Sequence, residues 1–187
     1  MKLDLEQCIS EQVAIKPAVK EEILSMFRES GLDAGEHFVE AGQYCRKMAF
    51  IRSGVLRIYN LAEGQEVTLW IGSDHSFITA LSSFVFDRPS RWYIQALTDA
   101  ELLVITRDDH FTLLDRHPGW MEFDNRILAN SFAALEQRIF AHLYMKAEDR
   151  YQQLLQNQPE LFNRVPLRHI ASMLGITPET LSRLRSK

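Results

Sequence analysis

The feature that most constrains the fold is a pair of short helical patterns at the end of the chain. Residues 165–185 read VPLRHIASMLGITPETLSRLR. Pro166 suits the first turn of a helix, and Gly175 can adopt the left-handed backbone that ends one. Thr177 followed by Pro178 is a favourable start for a second helix. The pattern predicts two helices meeting at a sharp corner, whose facing apolar residues are Ile170, Ala171, Leu174, Leu181 and Leu184.

The second predicted helix has a polar and basic outer face. Five basic side chains and one acidic side chain give residues 164–187 a charge of +4, so a whole-chain charge of −4 leaves −8 on the preceding residues. A short exposed helix with donors and cations fits the major groove of DNA, and a basic end on an acidic body is typical of DNA-contacting modules. A helical hairpin closing a larger domain is the alternative. The outward residues are Glu179, Thr180, Ser182, Arg183 and Lys187.

Length and composition exclude several classes of protein. The chain has 187 residues, 46% of them hydrophobic and 25% charged, as expected for one large or two small globular domains. Without an apolar run of eighteen residues or an N-terminal signal peptide, we expect a cytoplasmic protein with no membrane partner. Cys8 and Cys45 are expected to be reduced thiols, too few for the four ligands of an ordinary iron–sulfur cluster.

Short strand patterns occupy the middle of the chain. Glycines at 35, 42, 54 and 64 separate several of them. Such spacing predicts an antiparallel sandwich or jelly roll. Two helical patterns precede it, over residues 3–13 and from Pro17 to a stop at Gly31. The predicted strands are 38–39, 48–51, 55–59, 66–71, 77–78, 92–97 and 102–105.

A long helix is predicted from Pro118 to about residue 143, after a short one at 108–114 and before another that includes Tyr151. Apolar residues spaced alternately by four and three form a coiled-coil seam, which predicts pairing with a second copy. A second stripe of Phe123, Ile127 and Phe140 is expected to pack on the sheet domain. Complete burial of the helix inside one domain is the alternative. The predicted dimer seam consists of Leu128, Phe132, Leu135 and Ile139.

Three segments carry a resemblance to a known family. They are GEHFVEAG at 35–42, FIRSGVLRIY at 50–59 and IASMLGITPETLSRL at 170–184. The first two resemble the glycine-punctuated start of the β-roll in the family of the catabolite activator and the fumarate–nitrate regulator (CRP/FNR). The third resembles the recognition unit of that family, in which Glu-Thr-Leu-Ser-Arg is a specific signal. The resemblance covers essentially residues 20–187.

The resemblance implies an α+β fold in three parts. These are a jelly-roll sensor domain (a double-stranded β-helix) at 1–117, a dimerisation helix at 118–143 and a helix–turn–helix domain at 144–187. It implies a homodimeric transcription regulator rather than an enzyme, which binds a palindromic double-stranded DNA operator, with RNA polymerase as a candidate partner. The resemblance marks Glu179 and Arg183 for base contact. The full predicted DNA-binding set is Arg168, Thr177, Glu179, Thr180, Ser182, Arg183, Arg185 and Lys187.

The sequence departs from the cyclic-nucleotide binders of the family at their ligand site. Thr79 and Ala80 replace the Gly-Glu pair that those members use for the ribose, and Ser90 replaces the arginine that they use for the phosphate. Arg88 and Arg91 are near but out of register, so they are either displaced ligand residues or solvated loop arginines. We therefore expect a divergent effector pocket at these five residues, an unknown effector and no cyclic AMP or cyclic GMP.

Other departures leave two further hypotheses open. Family members usually follow the recognition helix with a β-hairpin wing, and the sequence given stops at Lys187, so we expect no wing. Pro178 also stands where the catabolite activator type has an arginine. A sensor that acts through protein contacts with little DNA binding is therefore one alternative. A jelly-roll enzyme is another, but His37 with Glu40 is only a fragment of the metal pattern it needs, so we expect no metal, cofactor or catalytic residues.

Overall fold

The computed structural model describes residues 3–186, and only the backbone of Leu3. Two helices, α1 (Leu3–Gln12) and α2 (Pro17–Met26), precede the sheets, as predicted. The prediction that Gly31 stops the second helix is wrong. Phe27 already leaves the helix in an extended conformation and buries its side chain, and Gly31 lies in strand β1 (Arg28–Leu32), where it pairs with Glu101. Pairing with a strand far away in the sequence therefore makes residues 28–32 extended rather than helical.

Within residues 3–186, eight strands form two four-stranded antiparallel sheets, which confirms the predicted jelly roll. After β1 the strands are β2 (His37–Val39), β3 (Lys47–Ser53), β4 (Leu56–Ala62), β5 (Gln65–Gly72), β6 (Phe77–Ile78), β7 (Tyr93–Ala96) and β8 (Ala100–Thr106). Every predicted strand is present, with limits that differ by a few residues. The first sheet has the order β1-β8-β3-β6 and the second β2-β7-β4-β5, so β5 is an edge strand.

The first sheet is buried on both faces. In β3, Ala49 and Ile51 pack against the second sheet, whereas Met48 and Phe50 pack against the helices. The turn after β3 requires a glycine, because Gly54 has a φ of 115° and a Cβ there would lie 2.6 Å from the Cβ of Ala100. The turn that leads from the first sheet into the second therefore lies directly against the start of β8.

Three helices follow strands β6 and β8. The six-residue α3 (Leu81–Phe86) is absent from the predicted elements, since it is too short to show helical periodicity. Helix α4 (Arg107–Arg116) begins where the Thr106 hydroxyl accepts a hydrogen bond from the Asp109 N–H, 3.1 Å away. Helix α5 (Pro118–Tyr144) is the predicted long helix. Among the helices of the described chain, α5 included, none is long and apolar enough to cross a membrane.

The first half of α5 packs on the helical side of the β-roll. Phe123 is buried there and Ile127 is half-buried, as the second apolar stripe predicts. For Phe140 that prediction is wrong, because its side chain is 61% exposed and stacks on Tyr144. At that level the inward face of α5 carries Ala141 and Arg138 instead.

The C-terminal residues form a small helical unit against the second sheet. Val55 and Ile71 of the β-roll join its apolar core, which contains the predicted Ile170, Leu174 and Leu181. Gly175 has the predicted left-handed conformation, with φ 65° and ψ 37°. Pro166 is the residue before its helix rather than inside the first turn. The helices are α6 (Ala147–Asn157), α7 (Leu161–Arg164), α8 (Leu167–Leu174) and α9 (Pro178–Arg185).

Candidate nucleic-acid interface and effector cavity

Helix α9 presents a polar face to solvent. Leu181 is fully buried and anchors the helix, whereas Glu179, Ser182 and Arg183 are exposed. Hydrogen bonds from its own backbone N–H and from Thr177 lower the pKa of the Glu179 carboxyl, which is therefore ionised at neutral pH. The face thus offers a strong acceptor and, one turn later, a guanidinium with several donors.

The other residues of the predicted DNA-binding set differ in their solvent exposure and in their hydrogen bonds within the chain. The Thr177 hydroxyl accepts from the Thr180 N–H at 3.2 Å and so caps α9. The Thr180 hydroxyl accepts from Arg183 Nη2 at 3.3 Å. Arg185 is exposed on α9, and Arg168 is exposed at the start of α8. Lys187 lies outside the described residues, and DNA contact by this set stays a prediction.

Helix α8 is held to the β-roll by a buried arginine in β4. Arg57 is 2% exposed and its guanidinium donates to Gln95 Oε1 at 2.6 and 3.0 Å and to Glu66 Oε2 at 2.7 Å. Its Nη1 also donates to His169 Nδ1, 2.7 Å away. Because a guanidinium cannot accept, this contact requires an unprotonated Nδ1. Burial, followed by the charge of Arg57, lowers the pKa of His169 to about 4.

The edge of the second sheet makes further contacts with the helix–turn–helix. The Ser172 hydroxyl accepts from the Thr68 N–H at 2.9 Å and donates to the Glu66 carbonyl at 3.2 Å. Arg138 of α5 donates to the carbonyls of Met173 at 2.7 Å and Thr68 at 3.3 Å. Residues from the sheet, from α5 and from α8 therefore meet at one junction.

An ion pair also links α7 to the β-roll. Both terminal nitrogens of Arg164 donate to the carboxylate of Asp74, at 2.6 and 3.0 Å, and lower the pKa of that carboxyl. Sequence reasoning missed these interdomain residues. One signal was available at Arg57, which stands inside the apolar run Val55-Leu-Arg-Ile-Tyr59, where a cation needs a partner from another element.

A cavity of about 570 Å³ lies between the β-roll and α5. Thr79 and Ala80, both of the predicted effector pocket, line it. Leu128 and Leu135 of the predicted dimer seam line it from α5. The cavity therefore joins the expected sensor site to the expected dimerisation helix.

The structure does not bring the other three predicted pocket residues to this cavity. Arg88 and Arg91 are exposed, each 5.2 Å from an aromatic ring centroid, of Phe86 and Trp92 respectively. Ser90 is buried, and its hydroxyl donates to the Trp92 carbonyl at 2.8 Å and accepts from the Trp92 N–H at 3.0 Å. The positions of the two arginines match the interpretation as solvated loop residues.

The predicted seam forms an apolar surface on α5. Phe132 and Ile139 are 64% and 59% exposed, and Leu128 and Leu135 are each 37% exposed. The alternative of a helix buried inside one domain is therefore wrong. Apolar side chains that are exposed at coiled-coil spacing form a surface that a second helix would cover.

His37 and Glu40, the fragment of a metal pattern in the sequence, lie close to each other, and His37 also contacts Tyr59. His37 Nε2 lies 3.0 Å from the Tyr59 hydroxyl, and His37 Nδ1 is 3.9 Å from Glu40. Within residues 3–186, no group of three or more His, Cys, Asp or Glu side chains could hold a metal ion.

Comparisons with known proteins agree with this architecture. Residues 30–117 match the cyclic nucleotide-binding domain family. A CRP/FNR-family regulator structure from Eubacterium rectale is 19% identical, with a TM-score of 0.71, over 91% of this chain and 82% of that one. The catabolite activator protein of Thermus thermophilus is 20% identical, with a TM-score of 0.59, over 92% and 83%. No curated protein sequence matches the chain significantly.

A third similar structure is CLP of Xanthomonas campestris, a global regulator described as responsive to c-di-GMP. It is 15% identical, with a TM-score of 0.73, over 91% of this chain and 90% of that one. The fold and the matched domain define a protein with a β-roll of the cyclic nucleotide-binding domain family, joined by a long helix to a helix–turn–helix. More particularly, the chain has the fold of the CRP/FNR transcription regulators, and the resemblance predicted from the sequence is confirmed.

Proposed function

We propose that this protein is a homodimeric, sequence-specific DNA-binding regulator of the CRP/FNR type. The observation that carries the proposal is the outer face of α9, where Glu179 and Arg183 are exposed on a helix whose inner face is anchored by Leu181. The similar regulators with the same fold support it. We propose no enzymatic activity, a cytoplasmic location and RNA polymerase as a further partner.

The side chains of α9 suit base readout in the major groove. Arg183 would donate to a guanine edge and Glu179 would accept from a cytosine amino group. Arg168, Arg185 and Lys187 would neutralise phosphates, which orients the helix without reading sequence. A twofold dimer places two such helices in successive major grooves, so the operator would be a palindrome with half-sites about 34 Å apart.

We propose that the sensor does not use cyclic AMP or cyclic GMP. The described residues that line the cavity include no arginine or lysine, whereas Asp124 places a carboxyl group there. A cyclic phosphate buried without a cation would lose a charge-assisted hydrogen-bonded pair, which contributes roughly 1.5–3 kcal/mol.

Selection from random duplex DNA followed by salt titration tests the regulator proposal. We expect enrichment of a palindrome and an affinity that falls steeply with salt, since counterions are released. Arg183→Ala should weaken binding to the preferred site by roughly 1–3 kcal/mol and relax selectivity at one base pair. Arg126→Ala, which removes an exposed arginine on α5, is the matched control and should bind normally.

Two results would count against the proposal. Equal losses on specific and random DNA for Arg183→Ala would make Arg183 a phosphate contact only. Failure to enrich any sequence, with salt-insensitive binding, would favour the second candidate, a sensor that acts through protein contacts. The extensive docking of α7 and α8 on the β-roll is the observation that favours that candidate.

A further inference from the structure

One end of the cavity beneath α5 is rich in hydrogen-bond acceptors. His110 is 3% exposed and lines the cavity, and its Nε2 lies 3.6 Å from Asp124 Oδ1. Its Nδ1 has no hydrogen-bond partner in the described chain, and neither does the buried Oε1 of Gln12, which also lines the cavity. Burial lowers the pKa of His110 to about 4, so the ring is neutral. With the ring proton on Nε2 toward Asp124, Nδ1 becomes an acceptor.

Unsatisfied acceptors in a buried place point to a donor that is missing. Leaving a buried polar atom without a partner is costly, and such atoms in native proteins are usually satisfied by water or a ligand. Here Nδ1 of His110 and Oε1 of Gln12 both lack a donor within the described chain, and the carboxyl group of Asp124 lies beside His110. A hydroxyl or an amide N–H would supply it.

The remaining wall of the cavity is mainly apolar and aromatic, and its other polar side chains carry no formal charge apart from the ionisable His75. These polar residues are His75, Ser76, Thr79, Ser82, Asn130 and Ser131. No lysine or arginine of the described chain lines the cavity, and Asp124 is the only acidic side chain there. An anion placed near Asp124 would be repelled without a compensating cation. A cation would itself have to be desolvated, and burial raises the pKa of Asp124, which weakens the carboxylate as a counter-ion. The apolar lining includes Ile58, Leu69, Trp70, Phe77, Trp92 and Ile127.

We infer that the cavity binds an uncharged, largely apolar small molecule whose polar end donates a hydrogen bond to the group formed by Gln12, His110 and Asp124. This inference rests on the sensor role proposed above and names its ligand class. A volume of about 570 Å³ accommodates a molecule of drug-like size. The polar end of the ligand would lie at the junction of α1, α4 and α5 rather than at Arg88, Ser90 or Arg91.

Fluorescent probes that differ by one charge test the ligand class. N-phenyl-1-naphthylamine is neutral, and 8-anilino-1-naphthalenesulfonate is the same skeleton with a sulfonate. With the full chain at about pH 8, where carboxyl groups ionise, we expect saturable binding of the neutral probe to one site per chain and at least about tenfold weaker binding of the sulfonate. Trp70 and Trp92 line the cavity and should transfer excitation energy to the bound probe.

Displacement by three ten-carbon compounds tests the polar end. 1-Decanol should displace the neutral probe at concentrations at least about tenfold lower than decanoate or decylamine, because only the alcohol donates without carrying charge. Asp124→Asn removes the negative charge, so the concentration of decanoate that displaces the probe should then exceed that of 1-decanol by less than about threefold. Glu122→Gln on the exposed face of the same helix should leave this concentration ratio unchanged.

Several outcomes would overturn the inference. It would be contradicted by equal binding of the two probes, or by decanoate or decylamine displacing the probe as strongly as 1-decanol. It would also be contradicted by an unchanged ratio of decanoate to 1-decanol concentrations in Asp124→Asn. Absence of saturable binding would show a hydrated void only. If Asp124→Asn does not fold, the competitor series on the native chain still decides the ligand class. DNA selection is independent of these measurements, so probe binding without DNA binding would remove the regulator proposal and leave the ligand class standing.

Discussion

At the scale of single residues, the neutral state of His169 is the most consequential chemical detail. Its ring is 4% exposed, with Arg57 Nη1 2.7 Å from Nδ1 and Arg168 Nε 3.2 Å from Nε2. In the neutral ring Nδ1 accepts from Arg57, so the proton is on Nε2, which cannot also accept from Arg168. A doubly protonated ring could not accept from Arg57 and would add a third positive charge. The hydrogen bond between Arg57 and α8 therefore depends on a proton being absent from this one side chain.

Stability should consequently depend on pH through His169. Its pKa is about 4 in the folded protein and near 6.5 when unfolded, so the unfolded chain binds more protons between these values. The free energy of unfolding should therefore decrease as the pH falls from about 6.5 to about 4, with a contribution on the order of 1–3 kcal/mol from this residue. Urea denaturation at several pH values measures it.

Two variants separate the contribution of His169 to this pH dependence from that of the carboxyl groups that titrate in the same pH range. His169→Asn should reduce the loss of unfolding free energy between about pH 6.5 and 4, leaving the part due to His110, whose pKa is also lowered to about 4. His142→Asn, at an exposed position, should keep the native pH profile. Identical profiles for the native protein and His169→Asn would contradict the prediction.

At the scale of elements, the edge strand β5 and helix α5 each have a polar or apolar face that needs covering. An uncovered edge strand leaves N–H and C=O groups unpaired, and here Ser172 of α8 supplies a donor and an acceptor to Glu66 and Thr68. The coiled-coil face of α5 has no such cover within the described chain, so a second copy is its expected partner. The edge of β5 is thus covered within the chain, whereas the apolar face of α5 is expected to be covered by a second chain.

Removing the Ser172 hydroxyl should loosen the docking of α8. In Ser172→Ala the Thr68 N–H loses its acceptor, and a net hydrogen bond contributes about 0.5–1.5 kcal/mol. Amide exchange at Thr68 should therefore accelerate by roughly three- to tenfold, as measured by hydrogen–deuterium exchange. Ser182→Ala on the outer face of α9 is the matched control. Unchanged protection at Thr68 would show that Ser172 does not hold this edge.

Charges placed in the seam of α5 should abolish dimerisation. Each of the four seam side chains contributes about 1.5–3 kcal/mol when buried against a partner. Phe132→Glu combined with Ile139→Glu should therefore give monomers in sedimentation equilibrium at low micromolar concentration. Ala133→Glu combined with Gln137→Glu adds the same charge at exposed positions outside the seam and should leave a dimer. A dimer that survives the seam substitutions would place the interface elsewhere.

At the scale of the whole molecule, α5 connects the three parts. Phe123 packs on the β-roll, Leu128 and Leu135 face both the cavity and the seam, and Arg138 bonds to the carbonyl of Met173 in the helix–turn–helix. The cavity, the predicted dimer seam and the helix–turn–helix are therefore all in contact with one helix. If the proposed function is correct, this helix connects the sensor site physically to the DNA-binding unit.

Calorimetric titration with cyclic AMP and cyclic GMP should show no binding at a dissociation constant of about 10 μM or tighter, which would correspond to near −7 kcal/mol. The physical reason is the absence of a cation among the described cavity residues. The titration must use the full chain, since α5 forms one wall. Tight binding would contradict the prediction, and Arg91→Ala would then test whether the loop arginine moves in.

The sequence by itself determined the elements whose signals are local. Gly175, Thr177 and Pro178 fix the corner of the helix–turn–helix through their own backbone preferences and one short hydrogen bond. Alternating apolar residues gave the strands of the β-roll, and the spacing of Phe132 and Ile139 gave the exposed seam. Of the candidate effector site, Thr79 and Ala80 are predicted from the resemblance to the ligand site of the family, and both line the cavity.

Only the tertiary structure decided the features that depend on residues far apart in the chain. Gly31 became part of a strand because β8 pairs with it, and Phe140 stayed exposed because Arg138 and Ala141 occupy the inward face. Arg57 and His169 are 112 positions apart, yet burial at their contact, followed by the charge of Arg57, lowers the pKa of the histidine. Hydrogen bonding and desolvation act through space, so no local pattern of residue types encodes which distant partners will meet.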